Sequence, residues 1–122
     1  MIEEKRITTP QELEKYVGKL IVTHYGSWGS YSKSIRILAK IEGTKDKTSL
    51  LGCRIFGKYI LRFKRNGIAE PIFSCRECSL YASNVEYVTL PTTEEKHLFM
   101  EKYLPIKMEN DYNVCLKKSI QY

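Results

Sequence analysis

No apolar run in the 122 residues approaches the roughly 20 that a membrane-crossing helix requires, which excludes a helical span on sequence grounds. The opening stretch MIEEKRITTP carries two acids where a secretory leader would need a basic and then an apolar segment, so a chain that stays in the cytoplasm is expected. Cysteine is sparse. Cys53, Cys75, Cys78 and Cys115 are too few and too irregularly placed for a disulfide framework, and reduced thiols are the expectation. Histidine is sparser still: His24 and His97 are the only two, and neither falls in an HExxH pair, a nucleophile elbow or a phosphate-binding loop. With those signatures absent, the residues predict a protein that is not an enzyme and carries no cofactor.

What is present describes a folded chain with an uneven charge. Hydrophobic residues at 43% and charged residues at 28% lie in the globular range, and 122 residues make a single domain spanning 1–122. The net charge of +6 is concentrated: residues 15–65 hold twelve Lys or Arg against only Glu42 and Asp46, while both flanks carry more acids than bases. A positive central region favours anionic partners, such as nucleic acid, a nucleotide or an acidic protein, and argues against an acidic mimic of DNA.

Local signals divide the chain into an N-terminal helix within 1–18, a β core over 19–90, a helix over 91–105 and a tail over 106–122. Thr9-Pro10-Gln11-Glu12 has a helix cap, a proline at the first helical position and an acid at the third, and Gly18 ends that helix. Lys19 to Tyr25 reads as a strand from its β-branched and aromatic content, followed by a loop from Gly26 to Ser34. From Ser34 to Glu42 the alternation places Ile35, Ile37, Ala39 and Ile41 on one face and Ser34, Arg36, Leu38 and Lys40 on the other. Thr48 to Phe56 and Lys58 to Arg65 are predicted as two further strands separated by Gly57, with Tyr59, Leu61 and Phe63 opposing Lys58, Arg62 and Lys64. Asn66-Gly67 predicts a hairpin into Ile68 to Phe73, where Pro71 implies an edge, and Val85 to Leu90 closes the set. Thr92 and Glu95 form a second capping box ahead of a helix that Pro105 stops.

Five or six short strands bounded by turns predict a mainly β fold, a small antiparallel barrel of SH3-like or OB-like type with a short helix at each end; a curved α+β sheet is the alternative. The order of parts is Gly18-Lys19 entering the first strand, a meander of short strands, and a last strand running into the Thr92 capping box. Over residues 17–101 this layout resembles small accessory proteins of bacterial viruses with SH3-like barrels. The resemblance implies a viral factor in the host cytoplasm that sequesters a host nucleotide signal, or blocks a nucleic-acid-processing complex, and so antagonises host defence.

Three constellations could carry chemistry. Cys75-Arg-Glu-Cys78 has the spacing of half a zinc site, but no second close pair completes it, so no metal is expected and a fold that survives a chelator is. Lys33, Arg36, Lys40, Lys58, Arg62 and Lys64 supply cations near Tyr25, Trp28, Tyr31 and Tyr59, a mixture suited to phosphate and to stacked bases; the alternative is an ordinary solvated strand face. The loop Gly26-Ser27-Trp28-Gly29 and onward to Tyr31 combines glycines able to form an anion-binding nest with rings able to close over a base, the alternative being a hairpin loop with no ligand. The candidate ligand set is therefore Tyr25, Gly26, Ser27, Trp28, Gly29, Tyr31, Lys33, Arg36, Lys40, Lys58, Arg62 and Lys64. The reading is non-catalytic binding of a phosphorylated ligand, small nucleotide or nucleic acid, salt-sensitive and indifferent to sequence. A protein-interaction module docking a basic face on an acidic partner is the alternative, and tyrosine-rich composition suits a homo-oligomer in either case.

Overall fold

The structure, a computed structural model, describes residues 5–26, 29–72, 80–82 and 84–102. Helix α1 (Pro10–Leu13) runs into a 3-10 turn (Glu14–Tyr16), and Thr9 caps it by accepting from the Glu12 amide at 3.3 Å. Six strands follow: β1 (Leu20–Tyr25), β2 (Tyr31–Glu42), β3 (Arg54–Lys64), β4 (Ala69–Ile72), β5 (Leu80–Ala82) and β6 (Val85–Thr89). Residues 93–102 form helix α2. Its capping box is reciprocal, with the Glu95 amide donating to Thr92 Oγ1 at 3.1 Å and the Thr92 amide donating to Glu95 Oε1 at 2.9 Å. None of the described helices is long and apolar enough to cross a membrane.

The fold is mainly β, one antiparallel sheet with the order β4-β3-β2-β1-β6, in which β5 shares the outer edge of β3 with β4. Residue pairing shows how strongly that sheet curls. Ala82 pairs with Ile55 at one edge and Val85 pairs with Tyr25 near the other, with only residues 83 and 84 between them. Three Cα steps reach about 11 Å, whereas four strand spacings in a flat sheet would hold those edges roughly 19 Å apart. Curling buries Ile7, Leu13, Ile21, Leu38, Leu50, Ile55, Val85 and Val88 on the concave side. The convex side carries a second core, Val22, Ile35, Leu61 and Phe63, covered by Phe99 of α2.

Several expectations from the sequence are corrected. The loop after β1 is shorter than Gly26 to Ser34, because Tyr31 to Ser34 pair with β3 and β1 despite their polar composition. Thr48 to Phe56 and Lys58 to Arg65 are not two strands: β3 runs through Gly57, and residues 43–53 lie outside the strands. Gly57 is not a terminator but a place of close approach, since a Cβ there would stand 2.6 Å from Cδ of Arg36. Arg36 and Lys40 do not share a solvent face. A bulge between Leu38 and Lys40 shifts the alternation, so Leu38 and Ile41 both join the concave core while Arg36 is 2% exposed. The Asn66-Gly67 hairpin and the edge position of Pro71 in β4 are as expected.

Candidate functional site

The ends of β1 and β2 meet at one mouth of the curled sheet, and three features of the sequence build the surface there. Gly29 takes a φ of 92°, open to glycine and strained for other residues, which turns the chain into Ser30 and β2. Arg65, just before the Asn66-Gly67 turn, reaches across to that loop: its Nε donates to the Gly29 carbonyl at 2.9 Å, its Nη2 donates to the Gly26 carbonyl, and its own amide donates to the Ser30 carbonyl at 3.0 Å. The β3–β4 hairpin therefore shapes the β1–β2 loop. Together with Asn84 they leave a cleft of about 170 Å³ lined by Tyr25, Gly29, Ser30, Tyr31 and Asn84.

The two tyrosines of this cleft are held from opposite sides. Tyr25 is anchored from within the sheet, where its hydroxyl accepts from Arg36 Nη2 at 3.0 Å and lies 2.9 Å from Ser34 Oγ. Arg36 also donates to the Ile55 carbonyl at 2.9 Å and to Ser34 Oγ at 3.0 Å, and Ser34 Oγ lies 2.5 Å from Thr23 Oγ1. The acceptors of this network are uncharged, and burial pushes the Arg36 guanidinium below its ordinary pKa, with the Tyr25 hydroxyl acting in the opposite direction. Tyr31 is anchored from the surface: the Arg62 guanidinium lies over its ring at 4.1 Å and its hydroxyl donates to Glu70 Oε2 at 3.2 Å.

No family model, curated protein or solved structure matches this chain. Of the twelve candidate residues, Tyr25, Gly29 and Tyr31 line the cleft, Gly26 borders it, and Arg62 and Lys64 flank Tyr31 on the same sheet face. Ser27 and Trp28 lie outside the described residues, as do Cys75, Cys78 and Cys115. Lys33 points to the convex side, where it pairs with Glu95 of α2 at 2.9 Å and lies over Phe63. The Glu95 carboxyl sits below its ordinary pKa: partial burial acts to raise it, and the Thr92 amide and Lys33 outweigh that. Lys40 pairs with Glu42 at 3.2 Å, nine residues along β2 from Tyr31 and so roughly 30 Å away by strand rise. Lys58 sits opposite Ile37, and Arg36 lies beneath Tyr25 instead of facing solvent. Of the expected cations, Lys33 and Lys40 pair with separate carboxylates and Arg62 and Lys64 share Glu70, and what converges is the cleft.

Ser30, Arg65, Asn84 and Glu70 belong to this site and were not expected. The pairing of Tyr31 with Lys64 across β2 and β3 brings Arg65 to the loop. Nothing local marks Asn84, which arrives from a segment more than fifty residues further along the chain. Elsewhere, Cys53 is buried, donates to the Ser49 carbonyl at 3.6 Å, and is pushed up in pKa by that burial, which suits a core residue more than a reactive thiol. His24 stacks on Tyr87 at 4.4 Å and its Nε2 lies 2.7 Å from Thr89 Oγ1, a contact that ties β1 to β6. Among the described residues no group of three His, Cys, Asp or Glu is placed to hold a metal ion.

Proposed function

We propose that this protein is a non-catalytic binder of a phosphorylated ligand bearing a planar ring, a small nucleotide or an unpaired stretch of nucleic acid, received in the cleft between Tyr25 and Tyr31. The observation that carries the reading is a cleft lined by two anchored tyrosines with three cations beside its lining residues: Arg62 over Tyr31, Arg65 bonded to Gly29, and Lys64 sharing Glu70 with Tyr31. Aromatic rings stack on bases whatever their sequence, and guanidinium and ammonium groups attract the phosphates that follow. A cleft of about 170 Å³ is smaller than the roughly 300–1,000 Å³ of sites that enclose a drug-sized molecule, so it suits one ring with the remainder of the ligand lying along the surface. The curled sheet is read as an SH3-like barrel whose mouth presents this cleft.

Calorimetric titration with AMP, ATP and a short oligothymidylate at low salt tests the proposal. The oligonucleotide should bind with an affinity that falls steeply as salt rises. Tyr31→Ala should weaken it by about 1 to 3 kcal/mol, the range for one lost stacking partner, while leaving the melting temperature close to that of the parent. A Tyr31→Ala protein that melts normally and binds as well as the parent would remove the cleft from the account.

A further inference from the structure

We propose that Glu70 is a built-in counter-anion of the cleft, holding the position that the ligand's phosphate takes, so that binding exchanges one anion for the other. This rests on the proposed function and specifies how the site recognises charge. The carboxylate is met by two donors and a further cation, from two strands. Lys64 Nζ lies 2.8 Å from Oε1, Tyr31 donates to Oε2 at 3.2 Å, and Arg62 Nη2 stands 4.0 Å from the same oxygen.

Strand register explains why they converge. Glu70 pairs directly with Arg62, Lys64 lies two residues along the same face of β3, and Tyr31 pairs with Lys64 from the other side. A simple cross-strand ion pair would need one base and one acid. Here two cations and a phenol that lines the cleft surround a single carboxylate, the donor set that a phosphate also uses. Arg62 Nε, moreover, is buried with no hydrogen-bond partner among the described residues, so Glu70 leaves a donor of that guanidinium unused. All the ion-pair members are about a third exposed, so the carboxylate can swing outward without opening the core. The lowered pKa of Glu70, held down first by its Lys64 hydrogen bond, agrees with a carboxylate that stays ionised in this place.

Glu70→Gln removes the competing charge and keeps the side chain's shape. Its control is Glu42→Gln, which makes the same change in net charge at the remote pair with Lys40 and Arg54. Both are titrated with oligothymidylate and with inorganic pyrophosphate. Glu70→Gln should tighten binding roughly fivefold, the scale of one unit charge acting through water at contact distance, and Glu42→Gln should not. Equal tightening by both variants would overturn the proposal, because net charge alone would then explain it. No gain in Glu70→Gln, in a parent that binds oligothymidylate, would also overturn it and leave the proposed function standing. If neither protein binds oligothymidylate the proposed function fails, and the pyrophosphate titration decides Glu70 separately: a fivefold gain in Glu70→Gln keeps its role, and no gain ends it.

Discussion

Arg36→Ala should cost about 3 to 5 kcal/mol of folding stability, combining the cavity left by a large side chain with buried acceptors that lose their donor at about 1 to 3 kcal/mol each. The residue is 2% exposed and donates to the Ile55 carbonyl, the Tyr25 hydroxyl and Ser34 Oγ, none of which reaches water easily once the guanidinium is gone. Arg36→Met should cost less, because its unbranched chain refills the space and Ser34, Thr23 and Tyr25 still bond one another. Urea unfolding of the three proteins measures the difference. Near-parent stability of Arg36→Ala would show that this network is not a structural centre of the sheet. Because the same guanidinium holds Tyr25, Arg36→Met should also weaken ligand binding although its side chain faces no ligand.

Gly57→Ala should destabilise by about 3 kcal/mol, the upper end for over-filling a packed interior. A methyl group at residue 57 would stand 2.6 Å from Cδ, 2.8 Å from Cβ and 3.0 Å from Cγ of Arg36. The Arg36 stem cannot retreat without giving up the hydrogen bonds that its guanidinium makes. Combining Gly57→Ala with Arg36→Ala is the sharper comparison: the double variant should lose much less than the sum of the two, since removing the arginine also removes the clash. Additive losses in a thermal or urea unfolding series would contradict the packing argument.

These two residues also show where the sequence was opaque. Alternation from Ile35 to Ile41 located β2, but in a sheet curled around one core and covered by a helix outside, both faces of a central strand are buried, and no polar face remains for Arg36 to mark. Gly57 looks like a breaker in one dimension and is a contact in three. The Thr9 cap, the Thr92 capping box and the Asn66-Gly67 hairpin were legible because each is a local arrangement of four residues or fewer. Strand β5 was not, being three residues long and paired with β3 more than twenty residues earlier. In the site, Gly29 and Tyr31 stood out through the composition of one loop, and Tyr25 through its place beside that loop at the end of β1. Arg65, Glu70 and Asn84 become part of it only through register and curl, which no single window of sequence contains. The charge asymmetry was real, yet it overstated the site, because Lys33, Lys40 and Lys64 each find a carboxylate.

The central claim is that one ring of a phosphorylated ligand enters the cleft between Tyr25 and Tyr31. The most direct measurement is a two-dimensional amide NMR titration of the ¹⁵N-labelled protein with a short oligothymidylate at low salt. Shifts confined to the amides of Gly29, Ser30, Tyr31, Arg65 and Asn84, saturating together, are the predicted result. Shifts centred instead on the Lys40 and Glu42 end of β2, or no shifts at any concentration, would contradict it.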